Sequence, residues 1–499
     1  MPLIAIGLAG LVAGCTEVGP NFLAPAAPAQ QRYRQHQTTE LNAGRKDKVQ
    51  LLAIGRNLRQ DWWAVFRSPA LDRTVRAAIA GNRNLVSARE TLAESRERIA
   101  AAQGGLFPQA NLHAMAERQR FNYAAAGIPY PPAEFNLFSI GPSVSYNFDL
   151  WGGTRRLIEE RQAQAKFQDY QVAAAYLTLT GNAVREALTI ASVKAQIAAA
   201  NDIIANDERN LDLVRRELQA GEATSLDVET AESQLANGRT ALPPLRQRLS
   251  VARNALDLLV GKTAATWTPP DFTLSRITLP ATLPVSLPSI LVRRRPDILA
   301  AEAQLHAASA AIGVATAAMY PQINLTAGIT QTALKAGDIF TYASTGADII
   351  AGLTAPLFHG GELTAQKRAA IDAFKAARAH YQETVLEAFT QVANALDALH
   401  HDAELVAAEH RALDDARHSL DLTRTSYEAG NVGILLVLDA QRRYQQARLG
   451  YVRAVEQRYL DTVQLFAAMG GGWQQWLATQ EPGAPMPSLR HDMNVMFSP

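Results

Sequence analysis

The sequence predicts a mainly α-helical, internally duplicated chain in which long helical hairpins are joined to four strands, each with one apolar and one polar face. Three observations predict it: a period-two stretch over 138–151, a proline-free helical stretch over 154–220, and ordered self-similarity between the two halves. In the first, Phe138, Ile140, Val144, Tyr146, Phe148 and Leu150 fall on one side, interrupted only by Pro142. Ser139, Gly141, Ser143, Ser145, Asn147 and Asp149 fall on the other. A period of two marks a strand with one apolar and one polar face. Its length suits a membrane barrel, although an ordinary half-buried strand alternates in the same way. On the barrel reading the apolar side faces lipid, and Ser143, Ser145 and Asn147 face a water-filled lumen. Pro142 lacks a ladder donor, so its pairing is left open.

Composition narrows the class. The chain has 499 residues, with 48 Lys+Arg against 47 Asp+Glu, which lacks the basic excess of a nucleic-acid binder. No run of eighteen or more apolar residues follows the N-terminus, so no helical membrane span is expected. One cysteine, Cys15, rules out an internal disulfide and a multi-cysteine metal site. It closes a small apolar run, and Leu11-Val12-Ala13-Gly14-Cys15 resembles the end of a bacterial lipoprotein signal. That resemblance makes Cys15 the lipidated first residue, and Thr16 in place of Asp implies outer-membrane sorting. Export signals carry a positive n-region, yet no Lys or Arg precedes the run, a departure from the pattern that leaves open whether Met1 is the true start.

Residues 16–60, with Pro20, Pro25 and Pro28, read as an extended leader. Ser68-Pro69 predicts a helix start, Ser68 as N-cap and Pro69 at the first helical position. A second helix is predicted over 84–104, ended by Gly104-Gly105, and Phe107-Pro108 opens a strand. A polar, Pro-containing loop over 123–135 joins it to the period-two stretch as a hairpin. From 154 to 220 the helix formers Ala, Leu, Gln, Glu and Arg dominate. Such a helix is on the order of 100 Å long. Ala220-Gly221-Glu222-Ala223-Thr224 reads as a turn, with a return helix over 226–259 that Pro243-Pro244 breaks or kinks. A Pro/Thr linker covers 263–288.

The pattern then restarts. Asn84-Leu85 recurs as Asp297-Ile298, and Phe107-Pro108-Gln109 as Tyr320-Pro321-Gln322, both 213 positions on. Leu150-Trp151-Gly152-Gly153 recurs as Phe358-His359-Gly360-Gly361, and Leu211-Asp212-Leu213 with Ala220-Gly221 as Leu420-Asp421-Leu422 with Ala429-Gly430, at offsets of 208 and 209. Ordered matches at nearly one spacing indicate duplication. The expected organisation is a signal over 1–15, the leader, repeat 1 over 61–275, repeat 2 over 276–469 and a tail over 470–499. Repeat 2 alternates over 322–330 and 349–357. It is helical over 363–429, turns at Gly430-Asn431-Val432-Gly433, and returns over 435–469.

A closed barrel needs about eight strands or more, and open edges in a bilayer leave backbone groups unpaired. Four strands are therefore a small soluble sheet or one share of a barrel built by several chains. Weakly amphipathic helices of this length also need lateral neighbours.

Further segments carry a resemblance: Cys15-Thr-Glu-Val-Gly-Pro-Asn-Phe22, Leu287-Pro288-Ser289 with Arg295-Pro296-Asp297-Ile298, Val437-Leu438-Asp439-Ala440-Gln441, and Gly470-Gly471-Gly472-Trp473. On them the chain resembles the TolC family of outer-membrane efflux proteins, in its OprM/NodT-type lipoprotein branch. The resemblance implies a homotrimer, a twelve-stranded barrel in outer-membrane lipid, and a helical tunnel through the periplasm. It further implies a periplasmic adaptor and an inner-membrane pump, commonly of the resistance-nodulation-division type. The function implied is a passive gated channel of a tripartite efflux system, carrying small toxic molecules out of the periplasm without enzyme chemistry or cofactors. The rivals are a soluble periplasmic coiled-coil scaffold or adaptor, and a type I secretion channel for proteins.

No residue pattern contradicts a channel. His400, His401, His410 and His418 read as solvated or inter-helix residues, Glu159-Glu160 as a charged helix face, and Ser143 lacks a nucleophile elbow. By resemblance, Ala220, Gly221, Glu222 and Thr224, with Ala429, Gly430, Asn431 and Gly433, are adaptor-docking tips. Asp439 and Tyr427 are gate residues, three symmetry-related Asp439 carboxylates forming a negative ring. Leu435 lies one helical turn from Asp439 and adds an apolar ring. Val432 and Leu436 stand where some members carry Arg and Asp, which argues against a full Tyr-Arg-Asp lock.

Overall fold

The computed structural model describes residues 17–34, 40–42, 49–56, 58–127 and 129–479. Cys15, the signal over 1–15 and the tail beyond 479 lie outside them. In chain order the elements are β1 (Glu40–Leu41), β2 (Gln50–Ile54), α1 (Pro69–Gly81), α2 (Arg83–Gly104), β3 (Gln109–Phe121), β4 (Ala133–Phe148), α3 (Gly153–Ala220), α4 (Ser225–Thr240) and α5 (Leu242–Val260). There follow β5 (Thr282–Val285), α6 (Pro288–Leu291), α7 (Pro296–Ala317), β6 (Gln322–Ala333), β7 (Thr345–Thr354), α8 (Glu362–Glu428), α9 (Ile434–Ala468) and α10 (Trp473–Thr479). The order helix, strand pair, long helix, return helix occurs twice. The described residues form two compact units, each drawing on both halves: those within 1–25, 90–169 and 300–382, and those within 26–89, 170–299 and 383–499.

The first unit holds a four-stranded antiparallel sheet in the order β3-β4-β6-β7, leaving β3 and β7 as edges. Its register aligns the alternation of all four strands. Ala110, Val144, Ala327 and Ile349 form one cross-strand row. Tyr146, Leu325 and Ala351 form another, and Phe148, Ile323 and Leu353 a third. The rows of the other face are polar apart from one isoleucine: Asn111, Ser143, Gly328 and Asp348, then Gln109, Ser145, Thr326 and Ile350, then Asn147, Asn324 and Gly352. Opposed residues share a face, so one face is apolar and the other polar. The chain itself covers neither. Leu112 is 70% exposed and Ile349 80%, and among these four strands only Ala333 is buried. From Phe138 to Phe148 the strand rises about 33 Å, which a barrel tilt of roughly 40° turns into about 25 Å, the height of a membrane band. Above it the same face becomes charged, where Arg118 and Arg120 meet Glu134 at 3.2 and 3.7 Å.

The strands differ in length from expectation. β3 runs on to Phe121, β4 begins at Ala133 within the anticipated loop, and β7 ends at Thr354, so Ala355 and Leu357 are not in it. Pro142 pairs with Leu112 on β3, while the ladder to β6 passes from Ile140–Gln331 to Ser143–Gly328 without it. Gly141 lies in that gap with Pro142, and a Cβ on it would sit 2.0 Å from the Ile329 carbonyl oxygen.

At the sheet's other end Trp151 stacks on Tyr320, ring centroids 4.7 Å apart, and donates from Nε1 to the Pro321 carbonyl at 2.7 Å. The leader ties in here. The Val18 amide donates to Trp151 O at 3.1 Å, and the buried Arg156 donates to Val18 O and to Asn21. Gly19 lies against Gly313, and Phe22 stacks on His306.

The second unit contains a small sheet, β1-β2-β5, that sequence reading did not anticipate. Its strands lie in the expected leader and linker. Ser68 caps α1, accepting from the Leu71 amide at 3.4 Å, with Pro69 at the first position as expected. The core gathers Trp62, Phe66 and Phe466, and Tyr176 stacks on Trp476 at 4.0 Å. Arg295 is buried among Asp297, Gln391 and the Ala468 carbonyl, and Trp473 donates to Arg294 O. The Arg-Pro-Asp-Ile and Gly-Gly-Gly-Trp motifs are thus fasteners of one core. By length and composition α7 is apolar enough to cross a membrane, but Ile298, Ala301, Leu305 and Ala310 are buried, as in a core helix.

Candidate functional site

The second unit places both helix-hairpin turns on one apolar cluster. Leu211 and Val214 of α3, Ala231 and Leu235 of α4, Leu420 of α8, and Ile434, Val437 and Leu438 of α9 are all buried in it. Each turn closes its first helix alike. Gly221 has φ +78°, its amide donates to Leu218 O, and the next amide, Glu222, donates to Glu217 O at 2.8 Å. Gly430 has φ +74°, its amide donates to Tyr427 O, and that of Asn431 to Ser426 O at 2.9 Å. Both are Schellman closures, for which the left-handed residue is best a glycine. Ala220, Gly221, Glu222, Thr224, Ala429, Gly430, Asn431 and Gly433 are all exposed.

The second helices begin differently. Thr224 and Asp227 form a reciprocal capping box: the Asp227 side chain accepts from the Thr224 amide at 2.8 Å, and the Thr224 hydroxyl accepts from the Asp227 amide at 3.4 Å. Gly433 caps α9 with no side-chain hydrogen bond. The return arms differ too. The first is interrupted at Ala241, before Pro243 and Pro244, whereas α9 runs unbroken from Ile434 to Ala468.

The three expected gate residues do not form one cluster. Leu435 and Asp439 line a groove of about 680 Å³ with Ile203, Glu229, Gln234 and Arg442. Tyr427 instead packs against the hairpin core, where its hydroxyl donates to Glu217 of the first hairpin. Burial, followed by repulsion from Glu222 and Asp227, raises the Glu217 pKa. Asp439 is not a bare carboxylate. Arg442 pairs with it, and Arg443 donates to it at 2.8 Å. Those guanidiniums, Arg442 first, hold its pKa below the ordinary value. Sequence reasoning missed both arginines, although their positions three and four residues past Asp439 are a readable helical signal.

Above the turns, polar side chains join the two hairpins. Asp207 accepts from Gln234 at 3.2 Å and from Gln445 at 3.0 Å, and burial raises its pKa. Arg448 donates to Asp202, while Glu456 accepts from Gln196 and Arg248. Asp402 is pushed up to about 8, first by burial and then by its partner Asp461. None of these groups pairs a nucleophile with a base; they are inter-helix ties. Among the histidines, His400 and His401 converge with Glu404, while His410 meets Asp414 at 3.9 Å.

Residues 74–262 and 287–471 match the family described as outer membrane efflux protein. The chain is 30% identical over 477 residues to the pyoverdine export outer membrane protein OpmQ of Pseudomonas aeruginosa, covering 93% of this chain and 96% of that one. It is 27% identical to the cation efflux system protein CusC of Escherichia coli, covering 95% and 99%. Among solved structures it is similar to the outer-membrane channel OprN, with a TM-score of 0.80, 25% identity, and coverage of 92% of this chain and 99% of that one.

Proposed function

The chain belongs to the outer membrane efflux protein family, and from that premise we propose that three copies assemble into a passive, gated conduit of a tripartite efflux system. The observation that carries this reading is the sheet. Its register puts every apolar row on one uncovered face, and both of its edges are open. Open edges are untenable in lipid, where unpaired backbone groups cost several kcal/mol each. Twelve strands from three copies would remove them. The apolar face then meets outer-membrane lipid, anchored in addition through Cys15, and Asn111, Ser143 and Asn147 line the lumen. The exposed hairpin turns dock a periplasmic adaptor, which couples the channel to an inner-membrane pump of the resistance-nodulation-division type. Each half, 61–275 and 276–469, supplies one strand hairpin and one helical hairpin to the ring.

Leu435 and Asp439 form the gate layer in this reading, with Tyr427 securing the second hairpin to Glu217. The layer carries mixed charge rather than a purely negative ring, because each Asp439 brings Arg442 and Arg443. Relatives are named for pyoverdine and for cations. Small-molecule cargo suits this channel. Detergent-purified chain is expected to have a trimer's mass and a heat-modifiable gel mobility; a detergent-independent soluble monomer would overturn the reading. Asp439→Ala frees both arginines. In planar bilayers it is expected to shift ion selectivity toward anions and to weaken inhibition by cations, and unchanged currents would remove Asp439 from the gate.

A further inference from the structure

On the exposed side of α8, His400, His401 and Glu404 bring three donor atoms within 4.8 Å of one another. His400 Nε2 lies 3.6 Å from Glu404 Oε1, and His401 Nδ1 lies 3.3 Å from Glu404 Oε2. One carboxylate is thus bracketed by two imidazoles. We propose that His400, His401 and Glu404 form a surface chelate site for a borderline divalent cation of the zinc or copper type.

The spacing fits that chemistry. Metal–nitrogen and metal–oxygen bonds of about 2.0–2.2 Å place adjacent ligand atoms of a tetrahedral site about 3.3 Å apart. The contacts, one to each carboxylate oxygen, are near that value, and all three donor atoms lie within 4.8 Å of one another. His400 and Glu404 are held one turn apart on one face by the helix itself, so the site needs no ordering of a loop. Both imidazoles are open to solvent, with 36% and 72% of their side chains exposed, so a small torsional change closes the remaining gap. Two imidazoles and one carboxylate favour copper(II), zinc and nickel over calcium or magnesium, which require several oxygen ligands. The remaining coordination positions open outward to water or to donor atoms of a passing solute. Among the described residues no other trio of His, Cys, Asp and Glu converges in this way. The site lies within one helix of one chain, so it stands apart from the assembly proposed above.

The test uses the full chain in detergent. Zinc titration by calorimetry is expected to show one site per chain at pH 7.5, and copper(II) electron paramagnetic resonance is expected to show two nitrogen ligands. The His400→Ala/His401→Ala double variant is expected to weaken zinc binding about tenfold or more, as is Glu404→Gln to a smaller extent. His410→Ala is expected to change nothing. Unchanged helicity and particle mass confirm that the variants fold. Absence of zinc binding to the parent chain overturns the proposal, and so does a double variant that binds as tightly as the parent.

Discussion

The two hairpin turns end their first helix identically and start their second differently. Gly221 and Gly430 each close a Schellman motif, but Thr224 and Asp227 fasten the first return arm with a reciprocal box, while Gly433 starts the second with backbone alone. The arms diverge in the same sense. The first is segmented at Ala241, and the second is continuous for 35 residues. A break in a helix absorbs a displacement applied at its end, whereas a continuous helix passes it along its length. Two copies of one design therefore differ in how they would carry a displacement applied at their turns. Under the proposed gating the first hairpin is the anchored element and the second is the element that moves.

Hydrogen exchange across the two turns can break or sharpen this contrast. The largest effect is expected where the turns agree. Gly221→Ala and Gly430→Ala each force a side chain into a left-handed backbone, costing about 1–2 kcal/mol and speeding local exchange about five- to thirtyfold. The effect should be equal at the two turns, and a response at one alone would end the claim of shared closure. Next, Thr224→Ala removes the capping box, costs about 1 kcal/mol, and speeds exchange over 225–228 about fivefold without touching 434–437. The smallest is Gly433→Ser. Glycine is only a few tenths of a kcal/mol poorer than serine as an N-cap, so exchange over 434–437 slows less than about twofold.

Acidity should separate the turns by sign. The folded pKa of Glu217 is raised, so its stabilising contribution is complete below the ordinary carboxylate value and is lost as pH rises through the raised one. That of Asp439 is lowered, so its contribution is present above the ordinary value and is lost as pH falls through the lowered one. Acidification from neutral toward the ordinary carboxylate value should slow exchange over 217–224, after correction for intrinsic rate, and leave 435–443 unchanged. Exchange over 435–443 should quicken only well below about pH 4. Parallel responses at both turns would dissolve the electrostatic half of the comparison.

What could be read from the sequence was whatever a local rule determines. Alternation over 138–148 gave the faces of β4, and the observed register extended them across all four strands. Ser68-Pro69, the turn glycines and Pro243-Pro244 each act within a few residues, and each lies where the sequence indicates. The small sheet was not legible, because β1 has two residues, β5 contains Pro284, and β2 finds β5 more than two hundred positions away. In the groove, Leu435 followed from its helical spacing to Asp439, which the family resemblance had supplied. The Glu217 partner of Tyr427 did not, since only the packing of two hairpins joins them. Glu404 was legible but overlooked: it stands three and four residues beyond the adjacent histidines.

The gap in the β4–β6 ladder gives the wall a mechanical property. At Gly141 and Pro142 two successive rungs are missing on one side of β4, while the β3 side remains fully laced. Ile329 presses its carbonyl into the space that a side chain at 141 would need. A sheet bends most readily where its cross-links are fewest, so curvature concentrates along this seam rather than spreading evenly. Gly141 and Pro142 thus act as a crease, folded in at the centre of the four strands, around which a flat ribbon can begin to close into a tube.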